Sequence, residues 1–130
     1  MCIGVKVLKK ILLIDHEPHV TGLVRQALES VGKYSIREEH DTAFAVHVAR
    51  WFRPDLIMVD LNLASTDGEI IAQQLKNDRQ LRNTPLLCLS TFVSEREFLS
   101  AGVLSGYSFL ASPVPIEQLM RAVDQLLFGR

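Results

Sequence analysis

The feature that most constrains the fold of this chain is a regular alternation of short apolar runs with longer amphipathic stretches. The short runs lie at residues 10–15, 33–38, 55–60, 85–90 and 107–111. Runs of this length, bounded by charged or turn-forming residues, are typical of β-strands. After each run, apolar residues recur at the spacing of one helix face. The pattern therefore predicts five strand–helix units in succession.

The first and last predicted helices carry the clearest patterns. Pro18 suits the first turn of the first helix, and Gly32 suits its C-terminal end. The apolar face of this helix comprises Val20, Leu23, Val24, Ala27, Leu28 and Val31. The last helix presents a similar stripe, made of Ile116, Leu119, Met120, Val123, Leu126 and Leu127.

The three middle helices are predicted from shorter signals. In the second helix, Phe44, Val48 and Trp51 are expected to share one face, and Trp51 is expected to pack under the edge of the sheet. Residues 67–68 (Asp-Gly) are expected to form a turn before the third helix. Residues 94–97 (Ser-Glu-Arg-Glu) match a capping box, which indicates the start of the fourth helix.

The arrangement of these units predicts the fold class. Strands that are apolar on both sides need helices on both sides of the sheet. We therefore expect an α/β fold of the flavodoxin-like, doubly wound kind, with a five-stranded parallel sheet and five helices. Right-handed crossovers favour the strand order 2-1-3-4-5. A length of 130 residues predicts a single domain over residues 1–130, with its core within 9–128.

Composition excludes several other classes of protein. Fourteen Lys and Arg against fifteen Asp and Glu give a net charge of −1, which argues against direct binding of nucleic acid. The longest fully apolar runs have about four residues, whereas roughly 20 are needed to span a membrane. The two cysteines, Cys2 and Cys88, do not suggest a disulfide framework, so the reducing cytoplasm is the expected location.

Two acids end neighbouring strands of the predicted sheet. Asp15 ends the first strand and Asp60 ends the third, on either side of the point where the strand order reverses. Carboxylates crowded at such an edge repel each other, and a hard cation such as Mg2+ would relieve the repulsion. Ser90 ends the fourth strand with a hydroxyl that can bond a phosphoryl oxygen. A carboxylate in this setting is a reasonable nucleophile for phosphoryl transfer.

Each of these residues also has a simpler structural interpretation. A single acid at a strand end is often only the first solvated residue of a loop, and a serine there often bonds only to the backbone. Two acids at the switch point favour a functional site over that interpretation. The four histidines of the chain show no metal-ligand spacing and are expected mostly at the surface.

Four segments of the chain resemble a known family. Residues 10–18, 54–63, 67–68 and 85–90 read KILLIDHEP, PDLIMVDLNL, DG and PLLCLS. In this order and spacing they resemble the receiver domain of two-component response regulators, which has the CheY-like fold. The resemblance covers essentially the whole chain.

The resemblance implies a role for each matching position. Asp60 matches the phospho-acceptor, and Asp15 matches the first of two acids that bind Mg2+ together with it. Asn62 matches the position whose backbone carbonyl is a further Mg2+ ligand. Ser90 matches the switch hydroxyl, and Phe109 matches the switch aromatic residue.

The chain departs from the family pattern at several site positions. His16 stands where the family has its second acid, so an imidazole replaces a carboxylate among the metal ligands that the resemblance implies. Ser112 stands where the family has a nearly universal lysine, which pairs with the phosphoryl group. Ala64 and Thr91 replace a proline and a small residue. Because Mg2+ prefers oxygen to imidazole, weak Mg2+ binding is expected.

Three functions compete at this point. As a receiver, the chain would accept a phosphoryl group at Asp60 from a sensor histidine kinase or phosphotransfer protein and signal to an output protein or domain. As a degenerate pseudo-receiver, it would be a phosphorylation-independent interaction module. A haloacid-dehalogenase-like or flavodoxin-like enzyme fits less well, since Asn62 replaces the second aspartate of the former and residues 16–18 do not form the phosphate loop of the latter. Beyond self-phosphorylation and autodephosphorylation at Asp60, no enzyme activity is expected.

Overall fold

A computed structural model of the chain describes residues 7–15, 18–61, 67–90, 108–111 and 116–129. The strands are β1 (Lys9–Ile14), β2 (Tyr34–Glu39), β3 (Leu56–Leu61), β4 (Leu86–Ser90) and β5 (Ser108–Ala111). The α-helices are α1 (Pro18–Val31), α2 (Ala45–Phe52), α3 (Asp67–Asn77) and α4 (Ile116–Phe128). A 3-10 turn at Thr42–Phe44 leads into α2. The predicted helix at 94–97 lies outside the described residues, so α4 corresponds to the last predicted helix.

All described strands belong to one parallel sheet. Their order is β2-β1-β3-β4-β5, which puts β1 and β3 on either side of the reversal in strand order. The α/β class with a parallel sheet is therefore confirmed. None of the helices in the described ranges is long and apolar enough to cross a membrane.

The core lies in two layers, one on each side of the sheet. Alternate residues of the central strands face α2 and α3 on one side, and these residues are Leu12, Ile14, Ile57 and Val59. The residues between them face α1 and α4, and these are Ile11, Leu13, Leu56 and Met58. Each of these side chains is at most 1% exposed, and burying one stabilises the fold by about 1.5–3 kcal/mol. Burial on both sides explains why these strands are continuous apolar runs.

Two helix ends take the left-handed backbone conformation. Gly32 follows α1 with φ of 76°, a conformation that glycine adopts without strain. Arg53 follows α2 with φ of 53°, although it has a β-carbon. The helix α1 therefore ends directly before Gly32, as predicted. The helix α2 is instead followed by a residue whose β-carbon makes the left-handed conformation sterically unfavourable.

Two predictions about helices were wrong. Val48 is buried, but Phe44 is 55% exposed and Trp51 is 66% exposed. Phe44 belongs to the 3-10 turn, whose tighter winding takes it off the buried face of α2. Trp51 lies against the edge strand β2, beyond which the described part of the sheet has no further strand to cover it. The predicted turn at 67–68 is instead the first turn of α3.

Candidate functional site

Two carboxylate residues lie side by side at the carboxyl edge of the sheet. Asp15 directly follows β1, and Asp60 lies one residue before the end of β3. β1 and β3 are paired neighbours, with Ile14 opposite Val59. Asp15 and Asp60 each follow one member of that pair. The sheet therefore brings together the two acids that were predicted to end neighbouring strands.

The end of β2 holds Asp15 in place. The backbone N–H of Asp15 donates to the Glu39 carbonyl at 3.0 Å, and the Asp15 carbonyl lies 3.1 Å from His40 Nδ1. A carbonyl can only accept, so we assign the proton of this contact to His40 Nδ1. Asp15 is only 1% exposed, whereas Asp60 is partly exposed. Asp60 is therefore the more accessible of the two acids.

The carboxylate oxygens of Asp15 and Asp60 are the kind of ligand that Mg2+ prefers. Proteins usually bind Mg2+ through one or two carboxylates and retained water molecules. Within the described ranges, no group of three or more His, Cys, Asp or Glu residues is placed to hold a metal ion. The predicted ligands His16 and Asn62 lie outside those ranges, as does Ser112. Asp15 and Asp60 are thus the part of the predicted metal site that the structure describes.

The sheet register places the two predicted switch residues relative to Asp60. Ser90, the last residue of β4, pairs with Leu61, which follows Asp60. Phe109 in β5 pairs with Cys88, which precedes Ser90 by two positions. Ser90 therefore lies at the same edge as Asp60, and Phe109 lies further back along its strand.

Cys88 is a second nucleophilic group near this edge, but its surroundings make it unreactive. It is buried in β4 opposite Val59. Burial disfavours the thiolate and raises the pKa of the Cys88 thiol to about 12. The thiol therefore stays protonated at neutral pH, and the carboxylates remain the better candidates for a nucleophile.

His40 is the site neighbour that sequence reasoning missed. It directly follows β2 and is exposed, and it reaches the edge only through its contact with Asp15. Its sequence neighbours show no metal-ligand spacing. The signal that could have found it is the predicted strand order, because that order sets the carboxyl end of β2 beside that of β1.

The sequence and the fold both match one family. The response regulator receiver domain family matches residues 11–124 of this chain. One relative is the DNA-binding dual master transcriptional regulator RpaA of Synechocystis sp. PCC 6803. It is 30% identical over 118 residues, which make up 91% of this chain and 48% of RpaA.

Solved structures with the same fold include a chemotaxis protein and the receiver domain of a sensor histidine kinase. The chemotaxis protein CheY4 of Vibrio cholerae has 23% sequence identity and a TM-score of 0.80, over 93% of this chain and 100% of CheY4. The receiver domain of the sensor histidine kinase PA1611 from Pseudomonas aeruginosa has 22% identity and a TM-score of 0.79, over 93% and 98% of the two chains. That structure has a magnesium ion coordinated in its active-site cleft. At 22–23% sequence identity, these two structural similarities establish the fold alone.

The matches cover different shares of the related proteins. It spans about half the length of RpaA but the whole of CheY4. The family match runs from β1 into α4, so it includes both acids at the carboxyl edge. The chain therefore belongs to the family of response regulator receiver domains.

Proposed function

We propose that this chain is a single receiver domain over residues 1–130 that accepts a phosphoryl group on Asp60. The observation that carries this proposal is the pair of neighbouring acids at the carboxyl edge, one buried and one accessible. A nucleophile must be reached by its donor, and the partial exposure of Asp60 allows that. The family membership of the chain supports the same role.

The proposed reaction transfers a phosphoryl group from a histidine nitrogen of the donor protein to a carboxylate oxygen of Asp60. An oxygen of the Asp60 carboxylate attacks the phosphorus of a phosphohistidine, the new O–P bond forms, and the N–P bond breaks. The electron pair of the broken bond leaves with the imidazole nitrogen of the donor. The Ser90 hydroxyl, at the end of the next strand, is proposed to donate a hydrogen bond to a phosphoryl oxygen. Apart from this step and hydrolysis of its product, we propose no enzyme activity.

We propose that Asp15, Asp60 and the backbone carbonyl of Asn62 hold Mg2+ in this reaction. When bound, the ion would neutralise charge that builds up on the phosphoryl oxygens. The magnesium ion in the active-site cleft of the PA1611 receiver domain supports this assignment. His16 replaces a carboxylate ligand, so we expect weak binding.

Receiver domains interact with histidine kinases and output domains. For this chain we propose a sensor histidine kinase or a phosphotransfer protein as the donor, in the cytoplasm. The receiver of PA1611 belongs to such a kinase, and RpaA is named as a DNA-binding regulator. Because the net charge of −1 argues against direct contact with DNA, we propose that the output of this chain runs through a protein partner or domain.

Phosphorylation by a small-molecule donor tests the proposed role of Asp60. Wild-type protein incubated with acetyl phosphate and Mg2+ should gain one phosphoryl mass, measured on the intact protein. Asp60→Asn should gain none, because an amide is not a nucleophile here. The matched control is Asp124→Asn, which changes an exposed acid on α4 and should behave as wild type. A phosphoryl mass on Asp60→Asn would refute the assignment.

The substitutions at His16 and Ser112 support a second candidate function. They remove an acidic ligand and a cation from the charge machinery around the phosphoryl group. A pseudo-receiver of this kind would bind its partner without phosphorylation. Wild-type protein that gains no mass from acetyl phosphate, yet binds its partner, would favour this candidate.

A further inference from the structure

The outer side of α2 carries exposed aromatic side chains. Phe44, just before the helix, is 55% exposed, and Trp51 in its last turn is 66% exposed. His47 between them is exposed as well. Since a large aromatic side chain usually buries about 150–250 Å2, Phe44 and Trp51 together leave roughly 200–300 Å2 of mainly apolar surface in water.

A cation lies at the Trp51 end of this side. Arg37 on β2 is exposed, and its guanidinium carbon lies 4.7 Å from the centre of the Trp51 ring, in a cation–π contact. The strand register sets Arg37 opposite Leu12, whose side chain packs on the α2 side of the sheet. Among the described residues, Arg37 forms no ion pair, so its charge is not neutralised there.

Two acids lie at the Phe44 end. Glu39 is paired with Ile14 in the sheet and therefore projects to the same side as α2. Asp41 is exposed, and its carbonyl accepts a hydrogen bond from the Phe44 N–H at 3.1 Å. The two carboxylates accept only from backbone: Glu39 from the Asp41 N–H at 3.0 Å, and Asp41 from the N–H two residues further on at 2.9 Å. Both acids therefore keep their negative charge.

The aromatic stripe thus has a positive charge at one end and negative charges at the other. The α2–β2 face, as we call it, consists of Arg37, Glu39, Asp41, Phe44, His47 and Trp51. A two-fold rotation reverses the direction of such a face, so it sets the cationic end of one copy against the acidic end of another. We propose that the α2–β2 face is the interface of a two-fold symmetric homodimer of this chain.

The same contacts would form twice in this dimer. The guanidinium of Arg37 would pair with Glu39 and Asp41 of the second copy, and Trp51 would pack beside Phe44 of the second copy. About 10 Å of helix separates Phe44 from Trp51, so the two ends can be engaged at the same time. Removal of the aromatic surface from water would drive association, and the charges would fix the orientation of the two copies.

Charge complementarity selects a second copy over a partner that carries one sign of charge. An acidic segment or a nucleic acid would be attracted to Arg37 but repelled by Glu39 and Asp41. A basic segment would meet the opposite problem. A further copy of the chain, turned end to end, matches both ends of the face.

The size of the face predicts a weak dimer. Its six residues are few beside the roughly 20–30 residues and 800 Å2 per partner of a standard interface. We therefore expect a dissociation constant on the order of 100 µM. The proposal does not depend on phosphorylation of Asp60, so it stands or falls separately from that role.

Sedimentation equilibrium of the full chain, from about 5 µM to about 1 mM, measures the association. The mean mass should rise from that of a monomer towards that of a dimer, and added salt should weaken the association. Trp51 is the single tryptophan of the chain, so its emission reports on the interface. The emission should shift to shorter wavelength over the same range of concentration, because the ring leaves water.

A pair of charge-swapped variants tests the orientation of the two copies. Arg37→Glu alone and the double variant Glu39→Lys, Asp41→Asn alone should each stay monomeric, because like charges would meet at both ends of the interface. The asparagine still caps the 3-10 turn, since it serves at this position as well as aspartate does. A mixture of the two variants should associate within about threefold of the wild-type affinity, because opposite charges again face each other.

Two further variants complete the test. Trp51→Ala should weaken the dimer about tenfold or more, because it removes the largest apolar contact. Arg121→Glu makes the same charge reversal as Arg37→Glu at an exposed position of α4, on the other side of the sheet, and should leave the dimer intact. Circular dichroism confirms that each variant is folded.

Three outcomes would overturn the proposal. One is a wild-type chain that stays monomeric up to about 1 mM, which would leave the face to a different protein. Another is a dimer that Arg37→Glu and Trp51→Ala do not weaken, or that Arg121→Glu weakens equally, since the contact would then lie elsewhere or reflect general charge. The last is a mixture of the charge-swapped variants that does not associate, which would exclude the two-fold pairing of opposite ends.

Discussion

Asp15 and Asp60 have the same side chain but differ in how the fold presents them. Asp15 is buried, and both of its backbone polar groups bond to residues at the end of β2. Asp60 is partly exposed at the end of β3. A fixed, buried carboxylate suits the binding of a cation, and an accessible carboxylate suits attack on a phosphoryl donor. The division of roles proposed for the two acids therefore follows from their burial.

Restoring an acid at position 16 should strengthen Mg2+ binding. We expect His16→Asp to tighten the affinity for Mg2+ about tenfold, or ~1.4 kcal/mol, because a carboxylate oxygen is a better ligand for Mg2+ than an imidazole. Calorimetric titration with Mg2+ measures the change. His47→Asp alters the charge equally at an exposed position of α2 and is the control. Equal affinity in the two variants would mean that another group already serves as the ligand.

At the scale of elements, α2 ends with a strained residue. Arg53 is the one residue other than glycine that has a positive φ within the described ranges. The left-handed conformation destabilises a residue with a β-carbon by about 1–2 kcal/mol, and glycine avoids this cost. Glycine is itself destabilising by about 0.5–1 kcal/mol, because it loses more conformational freedom on folding than alanine does. We therefore expect Arg53→Gly to be more stable than Arg53→Ala by about 0.5–1 kcal/mol in urea unfolding. If the backbone were not strained there, Arg53→Ala would instead be the more stable variant, by about 0.5–1 kcal/mol.

The turn after α3 is joined to α2 by a charged pair. Asp78 is buried, and it accepts hydrogen bonds from Arg50 Nε at 2.7 Å and from the Gln80 N–H at 2.9 Å. The Arg50 guanidinium above all holds the pKa of Asp78 below its ordinary value of 3.8. Gln80 adds a second link, since its side-chain amide donates to the Arg50 carbonyl at 2.9 Å.

This pair should make stability depend on pH in the acid range. A carboxylate with a lowered pKa in the folded state stabilises the fold above pH 3.8, and that contribution is lost as the pH falls through the lowered pKa. We expect Asp78→Asn to be less stable than wild type at neutral pH, with the difference shrinking in acid. Urea unfolding across this range measures the effect. A difference that stays constant down to pH 2 would exclude the ion pair as its cause.

Continuous apolar runs made the strands predictable, whereas the exposure of individual residues in and beside the helices was harder to predict. The central strands are buried on both sides, so their sequence carries a direct signal of their position. The exposure of Phe44 and Trp51 depends on a 3-10 turn and on the edge of the sheet, which local spacing does not encode. The contact of His40 with Asp15 likewise depends on strand register, so it could be found only once the sheet was known.

At the scale of the whole molecule, the parallel sheet concentrates chemistry at one edge. Asp15, Asp60 and Ser90 are far apart in sequence, and the order of the strands brings their backbone positions together. The positions could be predicted because each residue ends a recognisable strand. In the proposed site, the charge balance would also depend on His16 and Ser112, two positions where the sequence departs from the family pattern.

The loss of the lysine at position 112 should weaken the link between phosphorylation and the β4–β5 side of the molecule. In a receiver, the lysine pairs with the phosphoryl group and helps draw the switch residues inward. Ser112 is short and neutral, so it cannot supply that ion pair. We expect beryllofluoride, a mimic of the phosphoryl group, to change amide exchange in β4 and β5 by less than the roughly fivefold that marks typical coupling between sites.

Amide hydrogen exchange over residues 86–112, with and without beryllofluoride, measures this coupling. Ser112→Lys restores the cation and should show a larger protection change than wild type, because the ion pair again ties the phosphoryl mimic to β5. Asp60→Asn removes the acceptor and should show no response, which confirms that the change originates at Asp60. A large response in wild type, equal to that of Ser112→Lys, would show that Ser90 and Phe109 respond to the phosphoryl group without a lysine. In that case the chain would switch like an ordinary receiver, and the pseudo-receiver alternative would lose its support.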